Sequence, residues 1–401
     1  MLVDAPYVAL IIVVTLDLVS SAYVIFAMWR VGEFGRRSEG PETSQRPVTV
    51  LIPICGLDVG LYENLRSICC QAYPDYQLVV GVQNTDDPAL DVVRRIIGEF
   101  PDRDIALVIE DRIAGPNLKI SNLSNMYPRA KHTIVVILDS DMRVNPDYLA
   151  TIVAPFQDPA VGVVTCLYKG TPAGGLPSVL GSMFINEWFL PSVLVALSLG
   201  KLCYCFGATM AVRRDVFDKI GGFSRLGSYL ADDYMLGKLI TQEGYRVHLS
   251  SYVVENVVIE HSFKSLFLHE LRWARTIRTV QPIGYAFSFI TYTIPLAIVA
   301  GLVDEFTTDT DYLEWGLIGF AILLRVALHF IARSVLQVRH GPSPWLVPIR
   351  DMLSFVVWAI GLFGRDIVWR GQAFSVNDEG HLVAKDFCPD VENAVSQSPV
   401  V

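Results

Sequence analysis

Apolar positions form two kinds of run along this chain. Near the N-terminus, Val8 to Met28 is apolar apart from Thr15, Asp17, Ser20 and Ser21. At ~1.5 Å per helical residue this run covers a bilayer core of ~30 Å and predicts a membrane-spanning helix. No basic residue precedes it, and it exceeds the roughly 7–15 apolar residues of a cleaved signal segment, so an anchor is expected. Two late runs, Ile283–Val303 and Gly316–Leu336, are each long enough to span. Met352–Phe363 covers about half a span, which fits a re-entrant or interfacial helix as well as a crossing.

Between these runs the pattern changes to short β-rich segments, Val48–Ile54, Gln77–Val82, Ile105–Glu110, Thr133–Leu138 and Val161–Cys166. Helix-like segments lie between them: Leu61–Gln71, Pro88–Phe100, Lys119–Tyr127 and Asn145–Phe156. Such alternation predicts an α/β fold with a mostly parallel, Rossmann-like sheet covered by helices, where ligands bind at the carboxyl ends of the strands. Arg30, Arg36, Arg37 and Arg46 follow the first apolar run, which places the next domain in the cytoplasm. The acidic loop with Asp304, Glu305, Asp309, Asp311 and Glu314 is then outside, and Arg333, Arg339 and Arg350 mark a return. The expected organisation is an anchor over 1–30, a linker over 31–46, a cytoplasmic catalytic domain over 47–282, membrane or re-entrant segments over 283–364, and a C-terminal segment over 365–401 with a polar tail after Phe387.

Composition supports a soluble domain joined to membrane segments. Of the 401 residues 52% are hydrophobic and 18% charged, and the mean hydropathy is +0.40. The net charge of −9 argues against a nucleic-acid partner, because phosphate backbones demand a basic surface. An acidic protein can still bind a nucleotide if a metal ion neutralises the phosphates. The seven cysteines form no C-x-x-C pair, which argues for reduced thiols facing the cytosol rather than a disulfide framework or structural zinc.

Several clusters can carry chemistry. Asp139-Ser140-Asp141 follows the apolar run Ile134–Leu138, so two carboxylates emerge at the ligand edge of the sheet. Hard oxygen ligands there suit Mg2+ or Mn2+ bound to a diphosphate. The same D-x-D can simply cap a helix. Asn84-Thr85-Asp86-Asp87-Pro88 follows another apolar run and reads either as a helix cap or as an aspartate reaching a nucleobase or ribose. Asp232-Asp233 opens a further helix. Asp233 can be a helix N-terminal charge or the carboxylate base beneath an attacking hydroxyl. His269-Glu270-Leu271-Arg272-Trp273, with Arg275 and Arg278, reads as a basic headgroup helix, or as Arg272 pairing with a diphosphate and Trp273 stacking near an acceptor. Lys119 is a surface lysine or reaches a phosphate, and His261 is structural or completes a metal site.

In this order, these segments resemble the inverting GT-A glycosyltransferases, whose signature runs D, D-x-D, (E/D)-D and (Q/R)-x-x-R-W. Over about residues 48–376 the chain is similar to the ceramide glucosyltransferase family. Val82–Ala89, Asn117–Asn122, Asp139–Val144, Gly221-Gly222-Phe223, Ala231–Tyr234 and Trp369-Arg370-Gly371 carry this likeness. The resemblance implies a UDP-sugar donor, a divalent cation at Asp141 with Asp139 assisting, and Asp233 as base. It also implies donor and acceptor contacts from Arg272-Trp273, and uridine-side roles for Asp87 and Asp86. His269 stands where the pattern has Gln or Arg. Asn186-Glu187-Trp188-Phe189-Leu190-Pro191 departs from the ceramide enzymes and looks more like the bacterial, hopanoid-associated branch, which uses N-acetylglucosamine and a hopanoid polyol. That branch implies the bacterial inner membrane.

The expected activity is inverting transfer of glucose or N-acetylglucosamine from a UDP-sugar to a hydroxyl of a membrane lipid, either ceramide or a hopanoid such as bacteriohopanetetrol. Rival readings are a processive polysaccharide synthase, a polyprenyl-phosphate sugar transferase and a non-catalytic membrane scaffold. Two or three late apolar segments are few for a polymer channel, and the carboxylates of the signature are all present.

Overall fold

The computed structural model describes residues 5–37, 46–307, 312–338, 341–369, 372–377 and 379–384. Most of the polar linker, Asp309, Asp311, Arg339, Arg370-Gly371 and the polar tail lie outside the described residues. The chain forms two compact units. One comprises Met1–Arg37, Gly170–Gly200 and Glu260–Gly364; the other comprises Ser38–Lys169, Lys201–Ile259 and Arg365–Val401. Within the block expected over 47–282, Gly170–Gly200 and the stretch from Glu260 onward belong to the unit of the apolar helices.

The sheet-bearing unit is built on β1 (Val48–Ile54), β2 (Tyr76–Val82), β3 (Asp104–Ile109), β4 (Ile134–Leu138), β5 (Met142–Arg143), β6 (Val161–Pro172), β7 (Thr209–Arg213) and β8 (Arg246–Val258). Their order is β3-β2-β1-β4-β7-β6-β8-β5. The β3-β2-β1-β4 half is parallel, and β7 joins β4 antiparallel. Every residue of β1, β2 and β4 is buried, as a parallel strand covered on both faces requires. Alternate residues feed separate cores. Val50, Ile52, Val136 and Leu138 pack on one face, and Leu51, Val135 and Ile137 on the other. Helices Leu61–Cys69, Ala89–Glu99 and Leu118–Met126 follow β1, β2 and β3, close to the ranges expected from the pattern. A small antiparallel sheet of β9 (Asp366–Trp369), β10 (Gln372–Val376) and β11 (Leu382–Ala384) closes the described chain.

In the other unit, three helices among the described residues are long and apolar enough to cross a membrane: Ala5–Phe34, Leu176–Leu199 and Trp315–Val335. The second is an addition to the expected set. Its middle, Ile185–Phe189, is a π-turn, and it precedes Pro191, which cannot donate to the carbonyl four residues back. That carbonyl, of Glu187, accepts from Arg325 Nη1 at 3.2 Å instead. The Ile283–Val303 run is not one straight helix: Pro282–Thr291 and Thr293–Glu305 meet at 68°. Pro295 sits in the first turn of the second piece, where its missing N–H costs least, so the chain restarts there rather than continuing. The half-span around Met352–Phe363 is the helix Val347–Gly361.

Three pairs of ionisable side chains are buried within this apolar unit. Arg325 grips Asp351, with its Nε 2.8 Å from Oδ2, and His329 Nδ1 lies 2.7 Å from Glu187 Oε1. Arg350 donates to both oxygens of Glu270 at 2.7 Å. Isolated charges among apolar helices would be costly, and mutual pairing inside the unit removes most of that cost.

Gly237 shows how closely the sheet-bearing unit is packed. A Cβ there would lie 2.4 Å from Tyr204 Cα and 2.8 Å from Cys205 N, both main-chain atoms. Alanine gains up to about 1 kcal/mol of helix propensity, but overpacking against backbone costs about 1–3 kcal/mol or more. Gly237→Ala is therefore expected to lower the thermal unfolding midpoint of the purified protein. An unchanged or raised midpoint would refute this packing account.

Candidate active site

The parallel strands β1, β2 and β4 end at one edge of the sheet, and the D-x-D motif leaves β4 there. Asp139 accepts from Lys119 Nζ at 2.5 Å. The backbone N–H of Asp139 donates to Ala208 O at 3.2 Å, which ties the motif to the segment entering β7. Asp141 accepts from Asn256 Nδ2 at 2.8 Å, and its carbonyl accepts from Val257 N at 3.1 Å, so β8 orients it. Between the two aspartates, Ser140 Oγ donates to Asp58 at 2.9 Å. Burial, and then the charges of Asp139 and Asp58, push the Asp141 carboxyl up to about 7; the Asn256 hydrogen bond and Lys119 oppose the shift.

Asp232 and Asp233 open the helix Asp232–Gln242. Asp233 Oδ1 accepts from Tyr234 N at 2.7 Å. Its carbonyl accepts from Cys205 N at 3.3 Å, beside Gly207, where a Cβ would lie 3.2 Å from Asp233 Oδ2. Burial and then the charge of Asp232 push the Asp233 carboxyl up to about 7. Asp232 is raised by its own burial, against the pull of Lys119. Burial alone would depress Lys119, but Asp139, Asp232 and Asp233 together hold its ammonium well above the usual lysine range. One cation thus joins the D-x-D motif to the Asp232-Asp233 pair. The cluster keeps an excess of negative charge, and two of its carboxyls take up protons near neutrality.

Asp87 lies at the end of β2. Its Oδ1 accepts from Ala89 N at 2.9 Å, capping the next helix, and its Oδ2 accepts from Gly56 N at 2.8 Å after β1. Asp86 is exposed beside it. The cap reading therefore holds for Asp87, and the same bonds fix a carboxylate at the ligand edge.

Arg272, Trp273, His261 and His269 belong to the apolar unit. His269 Nδ1 lies 2.7 Å from Glu260 Oε1, and Ser265 Oγ donates to the other oxygen of Glu260 at 2.7 Å. Trp273 meets the His269 ring edge-on at 4.3 Å and stacks on Phe184 at 5.7 Å. The stack continues from Phe184 to Trp188 and on to Tyr292. His261 is exposed. Among the described residues, no three His, Cys, Asp or Glu side chains converge as a complete metal set.

Sequence reasoning did not assign Asn117, Asn256 or Asp58. Asn117 has a local signal, a cap residue just before a helix two positions ahead of Lys119. Asn256 has none, because a polar residue in a strand carries no mark of the carboxylate it faces.

Residues 12–382 match the family described as Glycosyl transferase family 21. Ceramide glucosyltransferase 1 of Caenorhabditis elegans is 23% identical, across 89% of this chain and 78% of its own. The ceramide glucosyltransferase of Pyricularia oryzae is 34% identical, across 88% of this chain and 87% of its own. Among solved structures, a mannosyltransferase from Pyrobaculum calidifontis in complex with GDP-Man and Mn2+ has the same fold, with a TM-score of 0.52 and 19% identity over 88% of this chain and 98% of that one. The expected GT-A architecture and the expected likeness to ceramide glucosyltransferases both hold. The chain belongs to glycosyl transferase family 21 and is a membrane glycosyltransferase that moves a sugar from a nucleotide-sugar donor.

Proposed function

We propose that this chain transfers glucose from UDP-glucose to the primary hydroxyl of a ceramide, by a single inverting displacement. The observation that carries the reading is the gathering of Asp139, Asp232 and Asp233 around Lys119, with the Asp233 carboxyl up at about 7. A base with that affinity can both take a proton and release it near neutral pH. The relatives' names supply the substrate class. A second reading, N-acetylglucosamine onto a hopanoid polyol, is favoured by the departure at Asn186–Pro191.

Asp141 and Asp139 suit a hard divalent ion. They present carboxylate oxygens in a cluster where burial, and then the charges of Asp139 and Asp58, raise Asp141, and such ions commonly take one or two carboxylates with the rest of the shell from phosphate and water. When bound, Mg2+ or Mn2+ would neutralise charge on the diphosphate. Lys119 offers a second cation at the same edge, and Asn256 holds Asp141 in place. Asp87 and Asp86 stand on the uridine side. By resemblance, Arg272 and Trp273 keep their assignment to donor and acceptor. Asp233 takes the proton of the acceptor hydroxyl as that oxygen bonds to the anomeric carbon. The bond from that carbon to the diphosphate oxygen breaks, and its electron pair leaves with UDP. The arginines after the first helix support a cytoplasmic catalytic unit.

Membranes containing the protein, given UDP-glucose or UDP-N-acetylglucosamine with ceramide or bacteriohopanetetrol, should yield glucosylceramide by mass spectrometry. An N-acetylglucosaminyl hopanoid would favour the second reading, and no lipid-linked sugar from any pair would refute both.

Asp233→Asn should lower kcat by ~10²–10⁴ while UDP binding is retained, and near-normal turnover would remove Asp233 from the base role. The raised Asp233 carboxyl binds a proton below about 7, so kcat/KM should fall as pH drops through that value. The midpoint belongs to the coupled cluster rather than to one residue. A flat profile between pH 5 and 8 would contradict it. Asp141→Ala should abolish the dependence of UDP affinity on added Mn2+, measured by calorimetry, and an unaltered Mn2+ dependence would count against the metal assignment.

A further inference from the structure

The helix Asp232–Gln242 begins without a side-chain cap at Ala231, so the place of Asp233 depends on what holds the preceding segment as well as on the Cys205 N–H bond to its own carbonyl. That segment is held from two sides. On one side lies the small C-terminal sheet. Leu382 N donates to Ser228 O at 2.8 Å, Leu230 N donates to Gly380 O at 3.2 Å, and Leu230 is buried among Ile367, Phe374 and Leu382. On the other side lies the single side chain of Asn117, which is wholly buried. Its Nδ2 donates to Tyr229 O at 2.9 Å and to Asp232 Oδ1 at 3.2 Å. Its Oδ1 accepts from Ile120 N at 3.1 Å and so caps the helix that carries Lys119. The backbone N–H of Asn117 donates to Gly227 O at 3.0 Å.

Only a neutral carboxamide meets these demands. Two acceptors need two N–H donors, and the helix start needs an oxygen acceptor. Serine can cap but has one proton to give. Aspartate can cap but faces Tyr229 O and the Asp232 carboxylate with lone pairs only. Because Asn117 is buried, water does not replace a lost bond.

We propose that Asn117 is a positioning residue of the transfer reaction: its carboxamide fixes the Asp232-Asp233 turn relative to Lys119. The inference rests on the reading of Asp233 as base only for its effect on turnover. The mechanical part stands on the bonds alone. Lys119 and Asp233 belong to elements 115 residues apart at the Asn117–Asp232 bond, and a shift of the turn would move the base while leaving the Lys119–Asp139 pair intact.

The test uses the full chain in detergent. In Asn117→Ser, which keeps a cap, hydrogen exchange of the Gly227–Asp233 amides should speed up at least ~10-fold while that of Leu118–Met126 stays within about 2-fold. With UDP-glucose and ceramide, kcat should fall ~10–100-fold and the UDP dissociation constant should change less than about 2-fold. Asn117→Asp should be impaired at least as much. Adding Asp232→Asn to it restores one donor–acceptor pair with the roles exchanged, and should recover kcat at least ~5-fold over Asn117→Asp alone. Unchanged exchange at Gly227–Asp233 would overturn the proposal. So would wild-type kcat in Asn117→Ser, equal losses of kcat and UDP binding, or no recovery in the double variant. If the wild-type protein transfers no sugar, the reading of Asp233 fails by itself, and the exchange experiment still decides the role of Asn117.

Discussion

The half-buried ammonium of Lys119 carries the electrostatics of the sheet-bearing unit. Removing a lysine from water is unfavourable unless anions surround it. Here Asp139 sits at 2.5 Å, and Asp232 and Asp233 add to the field. The carboxylates in turn come from two places, the end of β4 and the start of the helix Asp232–Gln242. The cation therefore holds together parts of the chain that the fold brings to one edge. Even so, negative charge exceeds positive, and burial first and then the neighbouring carboxylates push Asp141 and Asp233 up to about 7. An arrangement left with surplus charge in this way is suited to a ligand that brings cations, or to a reaction that delivers a proton.

The apolar unit solves the opposite problem. Several of its buried ionisable groups meet one another: Arg325 with Asp351, Arg350 with Glu270, and His329 with Glu187. Pro191 shows how one local defect draws in a distant partner. The carbonyl it leaves without a helical donor is taken by Arg325, which also binds Asp351. The aromatic row Trp273–Phe184–Trp188–Tyr292 crosses from one helix to the next within the same unit. These contacts pin the register of helices whose apolar faces alone would slide.

Much of the fold was legible because burial leaves a period in the sequence. β1, β2 and β4 are continuous apolar runs because both faces are covered, and their ends mark where Asp87 and Asp139 emerge. The helix Leu176–Leu199 was not legible, because Asn186, Glu187 and Pro191 interrupt an otherwise apolar stretch and its polar groups are satisfied only by residues far along the chain. The bend after Thr291 was hidden in a run whose composition suits a straight span. At the candidate site the carboxylates stand out by position, whereas Asn117 shows only as a helix cap and Asn256 not at all, because each acts on a partner 115 residues away. Charge at a strand end can be read from sequence; the neutral amide that aims it cannot.

The central claim is that one carboxylate, Asp233, serves a single displacement at the anomeric carbon. The anomeric configuration of the glycolipid product tests it most directly. UDP-glucose is α-linked, so attack from the opposite face must give a β-linked product, seen in the proton NMR spectrum as a large coupling between the first two ring protons. A β-glycoside is the result predicted. An α-glycoside would mean retention, which one base and one displacement cannot produce.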